Sequence, residues 1–278
     1  MTYILLLLFI QVGTVSSQSV EGHVIDKDTG QPLSYVNIGI MGTTAGTVSD
    51  ENGNFILQYK NKLSQTRVRF SMIGYKSSVY TLEELEEQPV KIKLEPEVYN
   101  LDEVVVSKSA LKKRRIGTST SSKIMVTGWS NNIRGGERGI RIKVDEKPVF
   151  LKNLNVHVVN NGYEEVLMRV HFRKFIDDSA GEHIVGRDIL FPIRKKSGWI
   201  GIDLEAYDLV FEEDVVVTLQ PVQKKGTCKE NNDYCLVISL NRFKPFSTSW
   251  FFAKTSSESN WIIKKNWSPG IYFTAYEE

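Results

Sequence analysis

From Val20 onward the chain is a succession of short runs rich in Val, Ile, Phe and Tyr, each interrupted by Gly, Pro, Asn or Asp. This punctuation limits the fold more than any other feature, because short runs with period-two alternation make strands and leave little room for helices. Val20 to Leu94 reads as VEGHVID, SYVNIGI, GTV, FILQY, TRVRFS, KSSVYTL and VKIKL, with turns at DKDTGQP and DENGN. Val68 and Phe70 alternate with Arg67, Arg69 and Ser71, as in a strand with one face in a core. The expectation is a small seven-stranded antiparallel sandwich. LEELEEQ, Leu82 to Gln88, allows one helical turn.

Lys123 to Glu278 is again β-rich, with strand-like segments running from KIMVTGW through EVLMRVHFRKF, GWIGIDL, DVVVTLQPV, CLVISL and SWFFAK to IYFTAY. In LMRVHFRKF, Leu167, Arg169, His171 and Arg173 share one side, while Met168, Val170, Phe172 and Lys174 share the other. About ten strands of this kind predict a larger, jelly-roll-like β-sandwich. Between the two regions, residues 96–122 combine one apolar run with the basic tract Lys112-Lys113-Arg114-Arg115 and a Ser/Thr-rich stretch, the composition of an extension and linker. The tract is either solvated or a grip for an acidic partner or lipid phosphate. The domain plan is therefore 18–95, 96–122 and 123–278 after an export signal at 1–17. Lys and Arg total 35 against 33 Asp and Glu, a net charge of +2 that gives no drive towards nucleic acid.

Several elements of the first region occur in a recognisable order: Gly-x-Val, Asp-x-x-Thr-Gly-x-Pro-Leu, Val-Asn, Gly-Thr-Thr, Asp-Glu-Asn-Gly-x-Phe and Ile-Gly-Tyr. Across about Val20 to Val106 this resembles the carboxypeptidase-like regulatory domain of exported Bacteroidetes proteins. The resemblance implies a prealbumin-like sandwich. Similar domains precede TonB-dependent receptors, where a segment like Leu101 to Val106, LDEVVV, follows. A receptor barrel takes about 22 strands, more than the residues after Val106 supply, so the receptor function is not carried over. Gly198 to Val222 resembles, more weakly, other exported proteins with this domain.

Tyr3 to Ile10, YILLLLFI, is followed by small and polar residues, a signal-peptide layout with cleavage expected after Ser17. No later segment reaches the length of a membrane span. The expected place is the periplasm, the outer membrane surface or the medium. In such a compartment Cys228 and Cys235, flanking KENNDY between two strand-like runs, are positioned to clamp a hairpin loop; two separate thiols are the alternative.

Tests for catalytic chemistry return little. His23, His157, His171 and His183 form no His-Glu-x-x-His or His-x-x-Glu pattern, so the resemblance carries no zinc peptidase activity, and no metal or other cofactor is expected. Asp50 to Asn54 suits a β-turn better than a calcium loop. Gly128 to Asn132 and Gly135 to Gly139 lack the spacing of a nucleophile elbow or phosphate loop. Asp177, Asp178, Glu182 and His183 are the densest candidates for a hydrolase, with a solvated loop as the competing reading. The ligand-binding candidates are Trp250, Phe252, Trp261 and Trp267, with Trp129 and Trp199 as further members, since exposed rings stack on sugars; core packing competes. The expectation is an exported non-enzymatic envelope protein, with envelope proteins or glycans as partners. A carbohydrate-binding module and a hydrolase with an unrecognised site are the alternatives.

Overall fold

The computed structural model describes residues 18–60, 65–86, 90–97, 112–132, 134–145, 147–228, 234–242 and 249–277. The signal segment 1–17 and the LDEVVV segment 101–106 lie outside the described residues. The fold is all-β.

Each of the seven runs expected in the first region is a strand. β1 (Gln18–Asp26) lies between β4 (Asn54–Tyr59) and β7 (Val90–Leu94); it pairs antiparallel with the former and parallel with the latter. The facing sheet has the order β3 (Gly46–Val48), β2 (Asn37–Ile40), β5 (Arg67–Ser71), β6 (Ser78–Thr81). In β4 the burial strictly alternates, with Phe55, Leu57 and Tyr59 inward, and in β5 Val68 and Phe70 point inward. These meet Val24, Ile38 and Ile92 in one core. A short helix, α1 (Leu82–Glu86), closes it with Leu82 and Leu85. Its start is a capping box: Thr81 N–H donates to Glu84 Oε2 at 2.6 Å, and Glu84 N–H donates back to Thr81 Oγ1 at 3.3 Å. The turns follow their residue chemistry. Asp26 Oδ1 accepts from the Asp28 and Thr29 amides, and Asp50 Oδ1 from those of Asn52 and Asn54, while Gly30 and Gly53 take φ of 71° and 79°.

The second region is a larger sandwich across whose core the chain passes repeatedly. One sheet has the order β13 (Ser179–His183), β12 (Glu165–Ile176), β17 (Val215–Lys225), β10 (Gly135–Ile142), β19 (Trp250–Ser256), β20 (Ile262–Lys265), with β14 (Ile189–Ile193) also paired to β12. The opposite sheet is built around β11 (Val149–Asn161), which pairs with β15 (Gly198–Asp203), β16 (Val210–Phe211), β18 (Tyr234–Arg242) and β22 (Ile271–Glu277). β9 (Val126–Ser130) and β21 (Trp267–Pro269) pair with β18. Met168, Val170, Phe172, Val217, Leu154 and Phe273 belong to the shared core.

Two segments differ from their composition. The basic tract read as linker is largely β8 (Lys112–Gly117), which pairs antiparallel with β22 and inserts Ile116 into the core. Arg114 is partly buried and binds Glu277 at 2.7 Å and Asp145 at 2.9 Å, while Lys112, Lys113 and Arg115 stay exposed. The acidic segment read as a loop is a hairpin. Asp177 and Asp178 have φ of 49° and 57°, the left-handed pair of a two-residue turn between Ile176 and Ser179. Cys228 and Cys235 are joined in a disulfide with Cα atoms 6.2 Å apart, as expected of a hairpin clamp. Among the described residues no helix is long and apolar enough to cross a membrane.

Candidate functional site

The outer face of the β12–β17–β10–β19 sheet holds the largest concentration of polar chemistry. Strand register sets it out in rows. Arg169 of β12 lies across from Gln220 of β17, His171 from Thr218, and Thr218 from Gly139 of β10; Glu137 of β10 faces Lys254 of β19. Period-two alternation points all of these away from the apolar core. They are nevertheless buried.

Glu137 organises the cluster. Its Oε1 lies 2.9 Å from Arg173 Nη2, 2.9 Å from Lys254 Nζ and 3.9 Å from His171 Nε2, and its Oε2 accepts from the Thr218 hydroxyl. Burial opposes ionisation, but the charges of Arg173, His171 and Lys254 hold the carboxyl well below the usual carboxylate range. Burial brings His171 down to about 4 against the pull of Glu137. It lowers His183 as well, with Arg173 and His171 acting in the same direction, and it also depresses Lys254. The two imidazole rings stand 4.9 Å apart.

The first sandwich sits on one end of this cluster. His171 Nε2 is 2.7 Å from Gln220 Oε1, and Gln220 Nε2 donates to Asn37 Oδ1 of β2. Tyr35 takes φ of 61°, and its carbonyl accepts from Arg169 Nη1 at 2.9 Å; the other side of that guanidinium binds Asp188, with Nε 2.6 Å from Oδ1. Ser256 Oγ donates to the Thr43 carbonyl at 3.0 Å, and Arg69 pairs with Glu258 at 3.2 Å. Glycines permit the close approach. A Cβ on Gly39 would stand 2.5 Å from Ser257 Oγ, and one on Gly46 2.8 Å from the Arg134 carbonyl.

The aromatic candidates divide between two faces. Trp250, 8% exposed, and Phe252, fully buried, line the same outer sheet face with Phe175 and the half-buried Trp261. Cations lie over the rings: Lys265 Nζ is 4.2 Å and Arg141 5.5 Å from the Trp250 centroid, and Lys254 Nζ is 4.7 Å from that of Trp261. Trp267 packs elsewhere, with Met125, Leu240 and Phe251. Trp129 is core, its indole N–H donating to the Gly136 carbonyl at 3.1 Å.

The hydrolase candidates do not converge. Asp178 pairs with Lys265 at 3.0 Å and Glu182 with Lys174 at 2.9 Å on the exposed hairpin, while His183 turns towards His171. His23 contacts the Asn52 carbonyl at 2.7 Å in a turn. Among the described residues no group of three or more His, Cys, Asp or Glu could hold a metal ion. Sequence reasoning did not select Glu137, Arg173, Lys254 or Gln220. The available signal was Arg-x-His-x-Arg on one side of β12, which reads as a solvated face unless a second body covers it.

Residues 20–106 match the family model of the CarboxypepD_reg-like domain. That match spans the first sandwich. The polar cluster is therefore where this domain meets the larger sandwich that follows it. No curated protein matches the chain. Among solved structures, the chain aligns over 94% of its length with 80% of a chain of infectious bursal disease virus Gx strain, at 9% identity and a TM-score of 0.22. It also aligns over 94% with 64% of a chain of the Gt strain of that virus, at 12% identity and a TM-score of 0.20. Likeness at these TM-scores carries no argument about fold or function.

Proposed function

We propose that this is an exported, non-enzymatic protein of a bacterial cell envelope, in which the CarboxypepD_reg-like domain is a structural or docking module and the larger sandwich carries binding. The observation behind the reading is that the cluster's carboxylate and the Nε2 of its central imidazole are taken up by neighbouring side chains. Both oxygens of Glu137 are committed, to Arg173, Lys254 and Thr218, and His171 Nε2 is committed to Gln220. General acid–base work needs a group within reach of a substrate and titrating near the working pH. The His171 imidazole is buried, depressed and linked through Gln220 to Asn37 of the first sandwich, which suits a clamp. A domain type found often in exported and envelope proteins, together with the leader-like amino terminus, supports the compartment, and the disulfide is compatible with it.

Fractionation of the native cell, with the amino terminus read by mass spectrometry, tests this. Recovery in periplasm, outer membrane or medium with Gln18 first is the expected result. Recovery in the cytoplasm with Met1 intact would overturn it.

A further inference from the structure

The second sheet of the larger sandwich has an outer face that the domain joint does not use. β15, β11, β22 and β8 lie side by side there. Leu154, Val156, Phe273 and Ala275 point into the core, so their neighbours along each strand point out. Trp199 pairs with His157, Gly201 with Asn155 and Asp203 with Asn153; across β11, Asn155 pairs with Tyr272 and Asn153 with Thr274. Trp199 and Tyr272 lean together, with ring centroids 5.0 Å apart, and both are partly exposed. Beside them the floor is low, because Gly201 has only Asn155 Oδ1 within 4 Å of where a Cβ would stand, at 3.3 Å.

The polar groups of this floor are idle. The side chains of Asn153, Asn155 and Thr274 are half-buried and have no hydrogen-bond partner among the described residues. Of the nearby charges, Lys152 pairs with Glu205 at 2.5 Å, Asp203 Oδ1 accepts from the Glu205 amide at 2.9 Å, and the exposed Arg115 lies over the Tyr272 ring, 4.6 Å from its centroid. An apolar segment would leave two amides and a hydroxyl unpaired at a cost. Amides and hydroxyls both donate and accept, and aromatic rings take C–H faces. Both requirements are met by a neutral, polyhydroxylated ligand.

From this juxtaposition we infer that the Trp199–Asn155–Asn153–Tyr272 face is a binding site for a neutral oligosaccharide. The inference rests on the binding role proposed for the larger sandwich and moves the site away from the buried Trp250 face. Native gel electrophoresis of the full chain through laminarin, xylan, yeast mannan or dextran tests it. Retardation by at least one glycan is expected, weakened about tenfold or more in Trp199→Ala and in the double variant Asn153→Ala/Asn155→Ala. Trp261→Ala should be retarded like the parent. The paired Asn variant removes half-buried side chains that have no hydrogen-bond partner among the described residues, so it remains decisive if Trp199→Ala fails to fold. No retardation by any of the four glycans, or undiminished retardation of both variants, overturns the assignment. Protein found in the envelope that ignores all four leaves the scaffold reading standing, whereas protein found in the cytoplasm overturns that reading whatever the gels show.

Discussion

Among the described residues, Glu137 is the only carboxylate within ion-pair reach of the largely buried Arg173 and the buried Lys254. Removing it leaves both without an anion, and breaking a buried pair in this way costs about 3 to 5 kcal/mol. Glu137→Gln should lose stability of that order in urea unfolding, whereas Arg69→Ala, at the half-exposed edge of the joint, should lose less than about 1 kcal/mol. The histidines add a pH dependence of definite sign. The unfolded chain takes up protons on His171 near pH 6.5, while the folded chain does so only at about 4. Stability from this group is thus full above pH 6.5 and is lost as pH falls towards 4, by about 3 kcal/mol in all. His183 and Glu137 act in the same direction, since both are also depressed. Melting temperature should fall across this window, and His171→Gln should flatten the slope; a flat profile for the parent would contradict it. Little of this was legible in the sequence. An Arg or His on the polar side of a strand carries no mark of whether water or a second domain lies over it.

At the scale of elements much more could be read. β4 and β5 announced themselves by strict alternation, because one side packs in a core and the other is polar. β8 was hidden by four consecutive basic residues, yet as a sheet edge it suits Lys and Arg, which discourage further strand pairing. β13 was hidden by Ala180, Gly181 and its acidic turn, where two left-handed aspartates take the place of the more usual Asn-Gly. The aromatic pair Trp250 and Phe252 was correctly placed on one strand face, but spacing cannot say that Phe175, Trp261 and Lys265 lie against it. The disulfide belongs to this scale too. It closes a loop with a sequence separation of seven, and replacing both cysteines with Ser should cost about 2.5 kcal/mol on the chain-entropy relation, read as a shifted urea midpoint with little change in slope. An unchanged midpoint would mean that the clamp contributes nothing.

For the whole molecule, the two sandwiches fold around separate cores, and a shared polar layer joins them. The sequence marked both bodies and the change in character between them, but not their joint, because its parts are spread from Tyr35 to Glu258 and meet only once both sandwiches exist. Gln220 is the central link, touching His171 on one side and Asn37 on the other. Gln220→Ala should uncouple the domains more than any edge substitution, since it leaves buried polar groups unpaired at about 1 to 3 kcal/mol. Coupling of this kind has a direct calorimetric signature. Scanning calorimetry of the full chain at pH 7 should give one transition whose calorimetric and van't Hoff enthalpies agree, and Gln220→Ala should broaden or split it. Two well-separated transitions in the parent protein would contradict the clamp.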